Sequence, residues 1–183
     1  MQRIIFAAVL TTAGLAQAAD FTLVSPEIKA DAMIPKRFEF KGFGCAGDNK
    51  SPFLKWSGAP PGTKSFAVTV YDPDAPSGSG WWHWSVVNIP ASVTELASNA
   101  GDASGARLPK GAVQLPTDYG AAAWGGMCPP QGDKPHRYVF TVYAMKTDKV
   151  AVLAAATGAS TESLLTASAL GQASFTARYG RAK

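Results

Sequence analysis

A chain of 183 residues is long enough to form one domain with its own hydrophobic core. Its hydrophobic fraction of 46% and its charged fraction of 16% exclude a largely disordered chain. The net charge of +4 comes from scattered lysines and arginines without a run of four, so we expect no nucleic-acid partner.

Residues 1–19 have the pattern of a secretory signal peptide that is cleaved from the mature chain. Arg3 gives a positive start, an apolar run continues to Leu15, and a small-x-small site allows cleavage after Ala18 or Ala19. The alternative is a membrane anchor, but the run is too short to span a bilayer and no other stretch could do so. We therefore expect a periplasmic or secreted protein with no integral membrane span.

The remaining residues, 20–183, are expected to form a single domain, because no linker or internal repeat divides them. Cys45 and Cys128 are the only cysteines, and export would place them in an oxidising compartment. Two cysteines allow only one pairing, so a Cys45–Cys128 disulfide is predicted. The alternative is a pair of buried free thiols.

Seven strands and one helix are predicted from the apolar periodicity and from the turn residues between the periodic segments. In chain order, the strands are Phe21–Ser25, Arg37–Phe40, Phe53–Trp56, Ser65–Tyr71, Trp84–Ile89, His136–Ala144 and Ala173–Tyr179. The helix is predicted over Ser160–Leu170, with Ser160 or Thr161 as its N-cap and Gly171 as its stop. These elements indicate an antiparallel β domain with a small α addition.

Two predicted loops carry the cysteines. The segment Phe43–Pro52 is rich in Gly, Asn and Asp, and Thr117–Pro135 is long, aromatic and rich in Gly and Pro. A loop as long as the second is usually functional or disordered within a compact domain. Because a disulfide would tie it down, we expect it to be functional.

Polar residues gather where the strands end or in the long loop. These residues are Asp72, Asp74, His83, Asp118, Tyr119, His136 and Tyr138. Asp72 and His136 each lie at the end of a strong strand, so their side chains would meet at one rim if the two strands were neighbours.

Four interpretations of these residues remain open. A metal site is possible in composition, but the spacing matches no standard ligand motif. A hydrolase would need a nucleophile, and the chain has neither G-x-S-x-G nor a free cysteine once the disulfide forms. A purely structural role would have Asp72 capping turn amides and the tryptophans filling the core. The fourth interpretation is a pocket for a small anion or zwitterion.

The pocket interpretation assigns a task to each kind of side chain. Two imidazoles could donate to phosphate oxygens, and backbone amides of the Gly-rich loop could do the same. A carboxylate beside them would repel a phosphate dianion, but it could accept a proton from a monoanion or pair with an ammonium group. Protonation of the histidines should strengthen anion binding at mildly acid pH.

Five stretches of the sequence resemble the phosphatidylethanolamine-binding protein family, in particular its bacterial and archaeal branch, often called Raf kinase inhibitor-like. They are GCAGDNKSPFLKW (44–56), DPDAP (72–76), WHWSVVNIP (82–90), CPP (128–130) and HRYVFTVYA (136–144). The resemblance runs from Phe21 to Arg181. It implies an antiparallel β-sandwich with a C-terminal helix and strand, and an anion pocket at one end of the main sheet.

The resemblance also implies which residues bind the ligand, without a cofactor, a metal or a catalytic group. They are Asp72, Ala75, Pro76, His83, Tyr119, Gly120, Pro129, Pro130, His136 and Tyr138. The Ala75–Pro76 bond is a candidate cis peptide, and Asp74 is expected to brace its loop through its backbone and not to contact the ligand. Trp82 and Trp84 are expected to help form the pocket wall. Trp124 and Met127 depart from the tyrosine and proline of the family pattern, so we expect a more apolar rim.

We therefore expect an exported, non-enzymatic binding protein whose partner is a phosphate-containing small molecule or a lipid headgroup. The alternative is an inhibitor that acts by protein interaction on a protease or a kinase-like signalling partner. A hydrolase that uses the same Asp and His residues is a third interpretation.

Overall fold

The computed structural model describes residues 20–151 and 156–183, so the predicted signal peptide lies outside the described residues. The elements in chain order are β1 (Thr22–Val24), β2 (Lys41–Gly42), β3 (Cys45–Ala46), β4 (Leu54–Ser57), β5 (Ser65–Asp72), β6 (Trp81–Pro90), β7 (Glu95–Leu96), β8 (Val113–Gln114), β9 (His136–Met145), α1 (Gly158–Ser168) and β10 (Ala169–Tyr179).

The strands form two main antiparallel sheets and one short hairpin. The larger sheet has the order β10-β9-β5-β6-β8, the smaller sheet has the order β1-β4-β7, and β2 pairs with β3. Strand β5 is antiparallel to both of its neighbours, β6 and β9. The last residue of β5 therefore lies beside the first residues of β6 and β9, at one end of the sheet.

The main core fills the space between the two sheets. Trp56 of the smaller sheet belongs to the same buried cluster as Val68 and Phe140 of the larger sheet. Burying one such side chain contributes about 1.5–3 kcal/mol. A second cluster, which includes Tyr143 and Leu165, lies between the larger sheet and α1. Because both faces of the larger sheet are covered, β5 is buried along almost its whole length.

The fold confirms the expected antiparallel β-sandwich with a C-terminal helix and strand, but one predicted strand is wrong. Residues 37–40 were expected to be extended, whereas Lys36–Phe38 forms a 3₁₀ turn. Pro35 precedes the turn, and its carbonyl accepts a hydrogen bond from the backbone N–H of Phe38 at 3.1 Å. This i to i+3 bond closes the turn, and the Phe38 ring is buried in the main core.

The predicted loop at 43–52 contains the short β2–β3 hairpin. Lys41 pairs with Ala46, and Gly42 pairs with Cys45. The two residues between the strands, Phe43 and Gly44, have φ values of 51° and 78°. Positive φ at both central residues matches the two-residue hairpin turns whose twist suits the paired strands.

The helix begins and ends earlier than predicted. Its N-cap is Thr157, whose side chain accepts a hydrogen bond from the backbone N–H of Ser160. Gly171 does not stop the helix, because the chain turns into the β region at Ala169 and enters β10 without a loop. Leu165 is the leucine buried against the sheet, and Leu164 is 37% exposed.

Candidate ligand pocket

A cavity of about 360 Å³ opens at the end of the larger sheet where β5 ends and β6 and β9 begin. Nine of the expected ligand-binding residues line it: Asp72, Ala75, Pro76, His83, Tyr119, Pro129, Pro130, His136 and Tyr138. Three further residues that the sequence did not indicate complete the lining: Phe43, Trp81 and Cys128. The polar residues form a group that we call the floor: Asp72, His83, His136 and Tyr138.

Asp72 and His136 are joined by a hydrogen bond between neighbouring strands, as their positions at strand ends led us to expect. Nδ1 of His136 lies 2.8 Å from Oδ2 of Asp72, and the two side chains are only 6% and 4% exposed. The other carboxylate oxygen accepts the backbone N–H of Asp74 at 2.8 Å. An ionised carboxylate only accepts hydrogen bonds, so the shared proton lies on Nδ1 of His136. Its Nε2 donates only when the imidazole is protonated.

A β-bulge in β6 positions His83. Trp84 pairs with Val70, whereas Trp82 pairs with the next residue, Tyr71, so His83 is one extra residue in its strand. A bulge turns the side chain of the extra residue away from the regular alternation. The bulge therefore gives His83 a direction that the sequence pattern of the strand does not specify.

His83 is oriented so that Nδ1 donates a hydrogen bond and Nε2 remains able to accept one. Its Nδ1 lies 2.7 Å from the carbonyl oxygen of Gly125, and because a carbonyl can only accept, the proton of this bond lies on Nδ1. Burial lowers the pKa of His83, so its ring stays neutral and Nε2 keeps a lone pair. Nε2 is buried and has no hydrogen-bond partner among the described residues. In this tautomer the neutral ring of His83 offers an acceptor at Nε2 and no free donor for a phosphate oxygen.

The Tyr138 hydroxyl completes the floor. It is buried without a hydrogen-bond partner in the part of the chain that the structure describes, and the Tyr138 ring stands edge-on to His83 at a centroid distance of 5.1 Å. Burial raises the pKa of Tyr138, and the negative charge of Asp72 raises it further. The hydroxyl is thus protonated at neutral pH and able to donate.

One wall of the cavity is aromatic. The Tyr119 ring packs against Gly125, where an added side chain would overlap it. Its hydroxyl donates to the carbonyl of Gly126 at 2.8 Å, so the ring and not the hydroxyl faces the ligand space. Trp81 stands edge-on to the same ring at 5.5 Å. Both residues line the cavity.

Several expected site residues are placed elsewhere. Gly120 lies in a turn, donating to Thr117, and does not line the cavity. Trp84 and Trp124 are stacked edge to face inside the main core, together with Met127. The rim is therefore not made more apolar by Trp124 and Met127, because both side chains point into the core.

Two further details correct the expected pocket. The Ala75–Pro76 peptide bond is trans, since the described residues contain no cis peptide. Trp82 packs against Tyr71 at a ring distance of 4.4 Å and does not line the cavity. Trp81 takes the wall position instead, and it shares the lining with His83, two residues further along the strand.

The Cys45–Cys128 disulfide is present and forms part of the pocket edge. It joins β3 to the segment that carries Pro129 and Pro130, with the two Cα atoms 6.0 Å apart. Arg181 supports the same edge, because its guanidinium donates to the carbonyls of Gly44 at 2.6 Å and Pro129 at 3.3 Å. The disulfide and the Arg181 hydrogen bonds thus both hold the mouth of the cavity in place.

Asp74 braces the loop after β5, as expected, although through its side chain. Its carboxylate accepts two hydrogen bonds from the Arg137 guanidinium, at 2.9 and 2.7 Å, and one from the Arg137 backbone N–H at 2.8 Å. The Arg137 guanidinium lowers the pKa of Asp74 to about 2. This contact fixes the segment beside Asp72 to the start of β9.

We expect Asp74→Asn to lower the free energy of unfolding at neutral pH by about 1 kcal/mol, because the pair is partly exposed. The folded-state pKa is depressed, so the contribution is complete above about pH 4 and lost as the pH falls through about 2. Urea denaturation of both proteins at pH 7 and near pH 2 measures the effect. An equal difference at both pH values would contradict the assignment.

Neither a metal centre nor a membrane helix is found in the described residues. Ranges 20–151 and 156–183 contain no group of three or more His, Cys, Asp or Glu side chains that could hold a metal ion. Within the same ranges, no helix is long and apolar enough to span a bilayer.

Comparison with known proteins identifies the family. A family model described as phosphatidylethanolamine-binding protein matches residues 24–180. The UPF0098 protein YbcL of Escherichia coli is 56% identical over 164 residues, which cover 90% of each chain. The UPF0098 protein YbhB of the same organism is 44% identical over 157 residues, covering 86% of this chain and 98% of YbhB.

A solved structure agrees with these sequence relatives. The crystal structure of E. coli YbcL, described as a new member of the mammalian PEBP family, has a TM-score of 0.86 and 54% identity, and covers 88% of this chain and 99% of YbcL. The fold and the cavity thus define a β-sandwich protein with a candidate ligand pocket at one end of its main sheet. The chain belongs to the phosphatidylethanolamine-binding protein family.

Proposed function

We propose that this protein is a non-enzymatic binding protein for a small phosphate-bearing ligand, either free phosphate or a phosphorylated headgroup. The ligand binds in a form that still carries a proton or an ammonium group. The family name supports a phosphate-bearing headgroup. The observation that carries the proposal is the fixed orientation of His83, which keeps a lone pair on Nε2 and lines the same cavity as Asp72.

The floor offers more acceptors than donors. Asp72 and Nε2 of His83 can only accept, whereas the Tyr138 hydroxyl can donate. A fully deprotonated dianion would face the negative charge of Asp72 and the lone pair of His83 in a buried site, where such repulsion is strong. A phosphate monoanion can give its proton to one of these acceptors, and an ammonium group can do the same.

His136 adds a contribution to anion binding that depends on the charge of its imidazole. When its imidazole is protonated, Nε2 can donate to a ligand oxygen while Nδ1 keeps its bond to Asp72. This additional hydrogen bond strengthens the binding of any oxyanion. Discrimination between a protonated and an unprotonated anion therefore depends on Asp72 and His83, and general anion affinity depends on His136.

We also propose that the chain is exported and functions as residues 20–183. The disulfide supports this part of the proposal, since such bonds persist in oxidising compartments and are rare in the cytosol. The purified, oxidised protein is therefore the correct material for binding experiments.

Calorimetric titration with phosphate, phosphoethanolamine and sulfate tests the proposal. Sulfate has the same shape as phosphate but carries no proton at these pH values, so we expect it to bind at least about tenfold more weakly, or about 1.4 kcal/mol. Affinity for phosphate should fall between about pH 6 and pH 8 by more than affinity for sulfate does. The excess of the fall for phosphate over the fall for sulfate reports the proton on the ligand.

Variants separate the proposal from general anion attraction. Asp72→Asn should reduce the preference for phosphate over sulfate by about tenfold, because the amide can donate to a bare oxyanion. Asp48→Asn removes an exposed carboxylate outside the cavity and should leave the preference unchanged. The proposal is wrong if sulfate binds as tightly as phosphate at both pH values, if no ligand binds at millimolar concentration, or if phosphate esters are turned over.

A further inference from the structure

Phe43 occupies a backbone position that does not suit it. It is the first central residue of the β2–β3 turn, with φ at 51°, and Gly44 follows with φ at 78°. Turns of this kind favour Asn, Asp and Gly at both positions, because a side chain with a bulky Cβ substituent is strained in the left-handed region. The turn itself therefore gives no reason for a phenylalanine.

Burial gives no reason for Phe43 either. The residue is 78% exposed, the largest value among the exposed large hydrophobic residues of the described ranges. An apolar side chain in water contributes little to folding, since the favourable term scales with the area removed from water. A strained and exposed aromatic residue points to a function outside the folding of the chain.

The ring stands at the mouth of the candidate pocket. Phe43 lines the cavity together with Tyr119, and Phe40 packs against both rings. The three ring planes are nearly parallel, with interplanar angles of 17°, 18° and 20°. The disulfide at Cys45 and the hydrogen bond from Arg181 to Gly44 hold the turn in place. Phe43 is thus part of a stack of nearly parallel aromatic rings that exists before a ligand binds.

The cavity is much larger than a phosphate group. At about 30 Å³ per water molecule, 360 Å³ holds roughly a dozen waters. The polar groups are confined to the floor, and the remaining lining is apolar, ending at Phe43. A ligand consisting only of phosphate would leave this apolar part filled with water.

We infer that the ligand carries a planar aromatic group next to its phosphate, and that this group stacks against Phe43 at the mouth. The inference rests on the proposed function and adds the chemical class of the ligand, an aryl phosphate. A further planar ring can extend such a parallel stack by offset stacking on Phe43. A cage for a quaternary ammonium group instead surrounds the cation with several aromatic faces.

Titration of the purified, oxidised protein at about pH 5, where each phosphate is mainly the monoanion, with phosphate, ethyl phosphate, phenyl phosphate and phosphocholine tests the inference. Phenyl phosphate should bind about 10- to 100-fold more tightly than phosphate, through stacking and apolar contact. Ethyl phosphate and phosphocholine should each gain no more than about threefold. The ratio of phenyl phosphate to phosphate affinity is the quantity to compare between variants.

Phe43→Asn is the decisive variant, because asparagine tolerates the left-handed turn and removes the ring. It should reduce the affinity ratio to about threefold or less, whereas Phe43→Trp should keep a ratio above about tenfold. Met33→Asn is the matched control, since Met33 is exposed but does not line the cavity. Its ratio should equal that of the unmodified protein.

The outcomes distinguish the inference from the proposed function. If phosphate binds but phenyl phosphate binds no more tightly, or if the ratio survives Phe43→Asn, the inference is wrong and the proposed function stands. If phosphocholine shows the larger gain, the surface recognises a cation and the aryl assignment is wrong. If neither phosphate nor phenyl phosphate binds, both are wrong.

Discussion

Removal of the Cys45–Cys128 disulfide is expected to lower the free energy of unfolding by about 3–5 kcal/mol. The two cysteines are 83 residues apart in the sequence, so the bond closes a very long loop in the unfolded chain. Loop-closure entropy for this length gives about 4–5 kcal/mol, and contacts that persist in the unfolded chain reduce the value. A loss of this size is a large share of the stability of a small domain.

Urea denaturation of the double variant Cys45→Ala/Cys128→Ala measures the effect. Alanine suits the Cys45 position, which is only 7% exposed, better than serine does. The denaturant dependence should also become steeper, because an unfolded chain without the cross-link exposes more surface. Reduction of the unmodified protein with dithiothreitol is the matched control and should give the same loss without a change of residue. A loss below about 1 kcal/mol would show that the loop is already closed by other contacts in the unfolded chain.

The positions of the strong strands follow from the sequence because β-branched and aromatic residues recur along them. Ser65–Tyr71 and His136–Ala144 were predicted to within one residue of the observed strands β5 and β9. Trp84–Ile89 was predicted three residues too short at its start, because the run of tryptophans before it has no apolar and polar alternation. The burial of both faces removes the alternation on which the prediction depends.

The Asp72–His136 pair could be expected from the sequence, since both residues end strong strands. Their contact required only that β5 and β9 be neighbours, which the structure confirms. The role of His83 could not be read in the same way. Its direction depends on a bulge, and its protonation depends on the Gly125 carbonyl, a contact made across 42 residues of sequence.

The pocket mouth was the part least accessible to sequence reasoning. Phe43 was assigned to a loop, because a phenylalanine is not a usual residue of a two-residue hairpin turn. Trp124 and Met127 were assigned to the rim, although Gly126 between them packs against the backbone of residues 38–40. That close approach directs both neighbouring side chains into the core. Tertiary contact, and not local preference, decides these positions.

Gly126→Ala is expected to lower the free energy of unfolding by about 3 kcal/mol or more. A methyl group at this position would overlap the backbone of Phe38, Glu39 and Phe40. Backbone atoms cannot turn aside as the end of a side chain can. The segment at Gly126 and the segment at residues 38–40 would have to move apart. This movement would break the hydrogen bond at 3.0 Å from the Phe40 N–H to the Met127 carbonyl. The neighbouring bond from the Gly126 N–H to Asn49 Oδ1, at 2.8 Å, would be lost with it.

Gly125→Ala is the informative comparison, because its methyl group would overlap the Tyr119 ring and not the backbone. The ring can move, so we expect a smaller loss of about 1–2 kcal/mol together with a displaced pocket wall and weaker binding of phenyl phosphate. At Gly78 an added methyl group would meet open space, but φ is 81°. The loss of stability in Gly78→Ala therefore reports the cost of the left-handed backbone alone, about 1 kcal/mol. Urea denaturation ranks the three variants. If Gly126→Ala is no more destabilising than Gly78→Ala, the chain at Gly126 is not in close contact with residues 38–40, and the core positions of Trp124 and Met127 need another cause.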